Sequence, residues 1–266
     1  MAADRDSGQP CAKIRYRTRA IAIKALADMS ITTPFGIYRD LFAFVRKPHL
    51  PEPRQAFGWA WARQVLWLAL LDLSLSLILL IPLSRLSQQL KITEPDFSAI
   101  TSHGLLATLA LGALAIPALE ELVFRFWLDG RRRSVLVVLA GLLPAAVLFA
   151  ASKAHLGMGL RFGFAAIGLI VPLVLLIRTR GKPSLPAPWF TRNFAWFYFG
   201  SALAFALAHV SNYPMDRLLL VLPFVLPQMI AGLILGFARV RFGYAGGLAI
   251  HALANGTAFA LMAGGA

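Results

Sequence analysis

Seven long apolar runs, separated by short gaps that carry most of the charge, set the pattern of this chain. Each run has roughly the 17–25 residues that a helix needs to cross a bilayer. The pattern predicts an all-α fold, a polytopic membrane bundle of about seven transmembrane helices. The predicted spans lie near 64–84, 101–128, 134–152, 159–177, 193–210, 218–238 and 244–263.

The N-terminal part of the chain has a different character. Residues 1–63 are basic and partly amphipathic, and three prolines break the chain before the first span. Between Ile31 and Val45, aromatic and aliphatic side chains mix with charges, which predicts an interfacial helix on the membrane; a loosely packed tail fits the same residues. We therefore divide the chain into a basic cytosolic or interfacial arm, 1–63, and a transmembrane domain, 64–266.

Composition and charge placement support a membrane protein. Of the 266 residues, 58% are hydrophobic and 14% are charged, against about 25% charged in soluble domains. Eleven of the 26 Lys and Arg residues lie in 1–63, and gaps rich and poor in these residues then alternate. This positive-inside pattern predicts a multi-pass integral membrane protein with a cytosolic N-terminus and a C-terminus on the opposite side. We expect a bacterial inner membrane, contact with the lipid bilayer and no nucleic-acid partner.

Three polar clusters interrupt the apolar runs. Ionisable groups are costly inside a bilayer and are usually functional there. The clusters predict a catalytic site built between helices. They consist of Glu120, Glu121 and Arg125; of His209; and of His251 and Asn255.

Helical geometry assigns different surroundings to the two glutamates. Glu121 and Arg125 are four residues apart on one helix face, where they can form an ion pair. Glu120 projects about 100° away and is free to face a neighbouring helix and a water molecule. A purely structural Glu–Arg pair, with Glu120 reaching to the helix end, fits the same spacing. His251 and Asn255 also share a helix face, and two converging donors suit a developing oxyanion.

Two further polar residues, Asp72 and His103, lie in or near spans but outside these clusters. We expect Asp72 to be buried and hydrogen-bonded by Ser74 or Ser76, without a catalytic role.

The expected depth of His209 in the membrane differs from that of the other clusters. His209 follows Arg192 by 17 residues, about 25 Å of helix, which is too deep unless that helix begins later or tilts.

The three clusters resemble the motifs of a known family. The strings EExxxR, FxxxH (Phe205 and His209) and HxxxN, in that order, look like those of the CPBP family. This family comprises intramembrane CAAX-type endopeptidases and bacterial relatives linked to bacteriocin processing. The resemblance covers roughly 101–128 and 193–259.

The resemblance implies an intramembrane endopeptidase and a role for each motif residue. Glu120 would be the general base that deprotonates water, and His209 would orient that water. His251 and Asn255 would stabilise the tetrahedral oxyanion. Glu121 and Arg125 would support the site as an ion pair.

Metal dependence stays open within the resemblance, because the family has been described both as metal-dependent and as glutamate-dependent. The chain has no HExxH helix, the usual two-histidine zinc motif. We therefore favour metal-free catalysis without a cofactor. A divalent metal such as zinc remains the alternative, with Glu121, His209 and His251 as ligands.

The spacing of the motifs departs from the family pattern. The family usually places its second motif one span after the first, whereas 84 residues separate Arg125 from His209. Residues 134–177 are therefore interpreted as an inserted pair of spans. His155 lies at the shorter distance, but Ala151 stands where the family has Phe.

The expected substrate is a membrane protein or a lipidated peptide, cleaved near a hydrophobic C-terminus. One alternative is a non-catalytic membrane binding or immunity-type protein of the same fold. Another is a proton-coupled transporter, although no repeated half or broken-helix pair is evident in the sequence.

Overall fold

The computed structural model describes residues 33–50, 54–93, 95–154, 157–182, 185–214 and 217–263. These residues are almost entirely helical, with one isolated antiparallel bridge between Arg131 and Pro186. We number the longer helices in chain order: α1, Pro34–Arg46; α2, Trp59–Leu90; α3, Leu105–Phe124; α4, Arg132–Lys153; α5, Met158–Arg178; α6, Phe194–Ala208; α7, Leu218–Phe242; α8, Tyr244–Ala263.

Six helices within the described residues are long and apolar enough to cross a bilayer. They are α2, α3, α5, α6 with its following 3₁₀ turn to Asn212, α7 and α8. The chain is thus an all-α, multi-pass integral membrane protein, as predicted. Helix α4 coincides with the predicted span 134–152 but is not among the six, so the number seven stays a prediction.

Helix α1 is the described part of the N-terminal arm. It begins where the Thr33 hydroxyl accepts a hydrogen bond from the Gly36 amide, with proline at its first position. One face packs into the bundle through Ile37, Leu41 and Phe44, and the opposite face exposes other aromatic rings, among them Phe35 and Phe42. A helix therefore forms where one was predicted, while its position at the membrane interface stays a prediction.

A buried ionic cluster joins the basic gaps at one end of the bundle. Asp129 Oδ2, just beyond α3, accepts hydrogen bonds from Arg54 Nη2 and Arg239 Nη2, both at 3.1 Å, and from Ser134 Oγ at 2.8 Å. The neighbouring amide of Gln55 donates to the carbonyl of Arg241. The gaps rich in Lys and Arg therefore meet at the same end, as their alternation along the chain requires.

Arg239 also fixes the end of the helix that carries the two glutamates. Its side chain is 2% exposed, and its Nε and Nη2 donate to the carbonyls of Arg125 and Phe126, at 3.2 and 2.5 Å. These carbonyls lie just beyond the C-terminal end of α3, where the regular backbone hydrogen bonds of the helix stop; the Arg125 carbonyl also accepts from the Leu128 amide at 3.0 Å. Arg239 thus ties α7 to α3 through backbone as well as charge.

Helices α4 and α5 form a hairpin that packs mainly on itself. Only 12% of the most apolar 18-residue stretch of α5 is buried. Arg133 Nη2, near the start of α4, donates to the carbonyl of Thr179 at the end of α5 and so joins the two helix ends. This hairpin corresponds to the predicted extra pair, 134–177. That it is an insertion stays a prediction.

Helices α6 and α7 pack closely through small residues. A Cβ on Gly232 would lie 3.0 Å from the Cα of Ala202, so glycine allows the backbones to approach. Nearby, the Tyr198 hydroxyl donates to the carbonyl of Leu233 at 2.7 Å. The two contacts set the position of α6, which leads to His209.

Replacing the buried arginine should destabilise the protein far more than replacing its neighbour on α7. We expect Arg239→Met to lower the free energy of unfolding by about 3 kcal/mol, because it leaves Asp129 undercompensated. The matched control is Arg241→Met, whose partner Asp40 is 3.7 Å away and whose side chain is 29% exposed; we expect a loss below about 1 kcal/mol. Thermal unfolding in detergent measures both, and equal losses would contradict the analysis.

Candidate active site

One oxygen of Glu121 joins two helices. Its Oε1 accepts a hydrogen bond from Arg125 Nη1 on the same helix and from His251 Nδ1 on α8, the latter at 3.0 Å. The Glu121 and Arg125 side chains are 1% and 0% exposed. The four-residue spacing anticipates the ion pair within α3, whereas the contact with α8 depends on the fold.

Glu120 lies between two imidazole rings. Its Oε2 is 3.4 Å from His251 Nε2, and its Oε1 is 3.8 Å from His209 Nε2. Its side chain is 23% exposed, in contrast to the enclosed Glu121. The structure thus brings the first two clusters and His251 of the third together around one accessible carboxylate.

The ring nitrogens of the two histidines face different partners. His209 Nδ1 lies 2.8 Å from the Phe205 carbonyl, which only accepts, so this nitrogen carries a proton. In the neutral ring, Nε2 then presents a lone pair toward Glu120. Both nitrogens of His251 face carboxylate oxygens, and only the imidazolium form donates from both.

The spacing between Glu120 and His209 suits a bridging water. A nitrogen–oxygen distance of 3.8 Å exceeds that of a direct hydrogen bond. When the His209 ring is neutral, both atoms are acceptors, and one water can donate a hydrogen to each of them. Such a water has its oxygen lone pairs directed away from both groups.

Phe205 packs against three polar side chains of the site. The Arg125 Cζ lies 4.0 Å from its ring centroid, a cation–π contact. The rings of His209 and His251 lie 4.6 and 5.7 Å away, centroid to centroid. The phenylalanine of the FxxxH string therefore holds the cluster together, a role that its sequence position alone did not reveal.

Two hydroxyl groups hold α6 and α8 against α3. Tyr244, at the start of α8, donates to the carbonyl of Ala118 at 2.7 Å, and Ser201 on α6 donates to the carbonyl of Phe124 at 2.6 Å. These bonds flank Glu120 and Glu121 along the chain. They fix the helices that bring in the two histidines.

Asn255 lies one turn further along α8 and contacts a different part of α3. Its Nδ2 donates to the carbonyl of Gly112 at 3.3 Å. Gly112 belongs to a π-helical segment, Leu109–Ala115, and such segments are frequent at functional sites. The hydrogen bond uses one of the two amide hydrogens of Asn255, so the second can serve another acceptor.

The start of α6 bears on the depth of His209. Arg192 ends a separate short helix, Pro188–Arg192, and α6 begins at Phe194. This later start shortens the 25 Å estimate by only about 3 Å, so it does not by itself account for the depth of His209. His209 itself follows α6 as the first residue of a 3₁₀ turn.

The sequence predicts no catalytic role for Asp72. In the structure this residue is buried on α2. Ser74 Oγ donates to the carbonyl of Leu70 rather than to Asp72, whose buried Oδ1 has no hydrogen-bond partner among the described residues. The side chain interacts with the charges of His251, Arg125 and Glu121. Its position four residues after the buried Leu68 was the available signal, because it marks the packed face of α2.

Of the other two histidines considered from the sequence, only His103 lies among the described residues. His103 is exposed in a turn before α3. His155, considered as an alternative to His209, lies outside the described residues.

The proposed zinc ligands do not fit as a set. Glu121 Oε1 already accepts from Arg125 and His251 Nδ1, while the Nε2 atoms of both histidines face Glu120 instead. Among the described residues, no group of three or more His, Cys, Asp or Glu side chains is arranged to hold a metal ion. Metal-free chemistry stays a proposal.

Adding one methyl group beside Glu121 should disturb the cluster. A Cβ on Gly247 would lie 2.8 Å from Glu121 Oε2, whose carboxylate is already fixed by two donors. We expect Gly247→Ala to reduce stability by about 1–3 kcal/mol, as overpacking does. Thermal unfolding in detergent provides the measurement.

The matched control for this substitution lies on the same helix. A Cβ on Gly256 would meet Ala113 Cβ at 3.4 Å, an ordinary contact. Gly256→Ala should be neutral or slightly stabilising, because alanine favours helix over glycine. Indistinguishable melting temperatures for the two variants would show that Glu121 is not fixed as described.

A comparison with known families bears on the second and third motifs. Residues 182–257 match the family model described as type II CAAX prenyl endopeptidase Rce1-like. The matched segment contains His209, His251 and Asn255, and it begins after the glutamate pair. No curated protein and no solved structure matches the chain. The match confirms the resemblance to this family over the part of the chain that carries the second and third strings.

Proposed function

We propose that the protein is an intramembrane endopeptidase that hydrolyses peptide bonds by glutamate-activated water. The observation that carries this proposal is the position of Glu120, whose two oxygens face the Nε2 atoms of His209 and His251. A partly exposed carboxylate between two imidazoles, inside apolar helices, is suited to water activation. The substrates are membrane-associated proteins or lipidated peptides with hydrophobic C-termini.

Glu120 is the general base in this mechanism. It takes one proton from the bound water, while His209 Nε2 accepts a hydrogen bond from the second hydrogen, which stays on the oxygen, and so orients it. The water oxygen attacks the peptide carbonyl and forms a tetrahedral intermediate. The carboxylic acid of Glu120 then gives its proton to the leaving amine as the carbon–nitrogen bond breaks.

His251 and Asn255 stabilise the oxyanion. An imidazolium N–H at His251 Nε2 is a charged donor, and charged donors form the stronger hydrogen bonds. Asn255 supplies a second N–H from one turn further along α8. Donors aimed at developing charge in a dry site contribute strongly to catalysis.

Glu121 and Arg125 support the site without touching the substrate. Glu121 holds Nδ1 of His251, so that Nε2 is directed toward Glu120. Arg125 neutralises Glu121 and lies on the Phe205 ring. This arrangement leaves the charge of Glu120 available as the base.

An apolar groove provides a route from the lipid. It has a volume of about 280 Å³ between α3 and α6, and it is lined by Phe124, Trp196, Ser201 and other residues of the two helices. The Phe124 ring lies 5.5 Å from that of Phe205, which contacts both histidines. A hydrophobic substrate segment therefore has an apolar surface next to the site.

Removing the base or the orienting histidine should abolish cleavage. We expect Glu120→Gln and His209→Ala to reduce cleavage of a co-expressed CAAX-type or membrane-anchored substrate by about 10²-fold or more. The control is His103→Ala, which removes an exposed imidazole outside the site and should retain wild-type cleavage. Immunoblotting of substrate and product gives the rates.

Other outcomes of the same assay address the alternatives. Unchanged cleavage in both site variants would reject the enzyme as described. Activity that is lost with a strong chelator and restored by zinc would overturn the metal-free mechanism.

The second candidate function is a non-catalytic membrane binding or immunity-type protein of the same fold. The observation that favours it is the extent of the family match, which begins at residue 182 and does not include Glu120. Under this alternative, the wild type and Glu120→Gln would protect or bind a partner equally, and neither would release a product.

The proposed location is the bacterial inner membrane, with the ionic cluster around Asp129 on the cytosolic side. Alkaline phosphatase fused after residue 263 should be active, whereas the same reporter fused in the loop between α3 and α4 should be inactive. Green fluorescent protein at the two positions should give the converse result. Activity of both phosphatase fusions would contradict the orientation.

A further inference from the structure

Helix α1 has two faces that differ in their partners. One face is packed into the bundle by Ile37, Leu41 and Phe44. The opposite face carries aromatic and basic side chains in alternation, three or four residues apart, so that they follow one line along the helix. We call this line the Phe/Arg stripe. Its four members are all exposed: Phe35, Arg39, Phe42 and Arg46.

The contacts of the buried face show how α1 lies on the bundle. The Tyr38 hydroxyl donates to a backbone carbonyl of α2 at 3.0 Å, and Asp40 lies 3.7 Å from Arg241 near the end of α7. The Phe44 ring packs edge-on against Phe194 at the start of α6. Tyr38 and Phe44 are separated by only about 9 Å of helix. Because α1 reaches three helices over this short length, it crosses the bundle near one end.

Exposed aromatic rings of neighbouring helices mark the same end of the bundle. Phe57 and Trp59 at the start of α2, and Trp189 and Trp196 around the start of α6, are 60% to 80% exposed. Such belts of aromatic rings lie where the hydrocarbon of a bilayer meets its headgroups. The gaps rich in Lys and Arg also meet at this end. The Phe/Arg stripe is therefore placed at the depth of lipid headgroups.

The charge of the stripe is only partly compensated within the protein. Asp40 is the one acidic residue in the sequence of α1, and its carboxylate is shared between Arg39 and Arg241, each at 3.7 Å. Both distances exceed that of a hydrogen bond, and the Arg39 side chain is 62% exposed. The Arg46 Cζ lies 5.2 Å from the Phe42 ring centroid, a cation–π contact that keeps the guanidinium beside the ring.

We propose that the Phe/Arg stripe is a binding surface for anionic phospholipids of the adjacent leaflet. The two phenylalanine rings enter the boundary of the acyl chains, and the two guanidinium groups bind the phosphates. A zwitterionic headgroup offers the same phosphate but no net negative charge, so the stripe prefers anionic lipid. Lipid bound there holds the opposite face of α1, with Phe44, against α6 and α7.

Lipid titration of the full-length protein in micelles of a neutral detergent tests the proposal. An environment-sensitive fluorophore is attached at an exposed position of α1 through Ala43→Cys in a Cys11→Ser background. The emission is followed as phosphatidylglycerol or phosphatidylcholine is added. We expect phosphatidylglycerol to bind about tenfold or more tightly than phosphatidylcholine, because both stripe arginines interact with its net charge.

A matched pair of double variants separates the stripe from the total charge. Arg39→Gln with Arg46→Gln should bring the two apparent affinities to within about twofold of each other. The control is Arg131→Gln with Arg132→Gln, which removes the same charge from exposed positions at the same end of the bundle. This control should keep the full preference for phosphatidylglycerol.

The aromatic half of the stripe is tested separately. Phe35→Ser with Phe42→Ser should weaken the binding of both lipids about tenfold or more, because the apolar contacts are lost while the charges remain. All substituted side chains are exposed, so the melting temperatures without added lipid should match that of the parent protein.

Three results would overturn the inference. They are equal affinities for the two lipids in the parent protein, an equal loss of preference in the two arginine double variants, and unchanged binding after removal of both phenylalanines. A fluorophore that responds to neither lipid counts among the first. The titration requires no substrate, so it decides the role of the stripe even if the protein cleaves nothing and the proposed function fails.

Discussion

The site depends on one buried carboxylate oxygen, Oε1 of Glu121. It accepts hydrogen bonds from Arg125 at the end of its own helix and from His251 on another, so losing either donor would leave the Glu121 carboxylate undercompensated in apolar surroundings. Because Glu120 is the next residue along α3, anchoring Glu121 also sets the direction in which Glu120 points. A single ionic contact therefore fixes the orientation of the proposed base and of the proposed oxyanion donor.

Polar contacts to backbone carbonyls hold the helices around this oxygen. Lipid is as apolar as a leucine side chain, so hydrophobic burial does little to bring membrane helices together. Instead Arg239, Tyr244 and Ser201 each donate to carbonyls along the C-terminal half of α3 or just beyond it. These bonds come from α7, α8 and α6, respectively. Helix α3 is consequently the element against which the other site helices are placed.

The sequence predicts well what depends on local spacing and hydropathy, and less well what depends on contacts between helices. The membrane spans and the Glu121–Arg125 pair follow from periodicity, and three ordered strings indicate a shared site. The partner of Asn255 is a carbonyl in a π-helical turn, which no spacing rule predicts. The burial of Asp72 likewise depends on how α2 packs against α8, which the spacing of residues along α2 does not reveal.

The surroundings of the two adjacent glutamates favour different chemistry for each. Glu121 is 1% exposed and already accepts from two donors, so taking up a proton would break the contacts that hold His251. Glu120 is 23% exposed, and its closest nitrogen contacts are at 3.4 and 3.8 Å, long enough for water to enter. Protonation of Glu120 removes a charge that faces the cluster without removing any of the cluster's own hydrogen bonds. The residue that can change its protonation state at low structural cost is therefore Glu120.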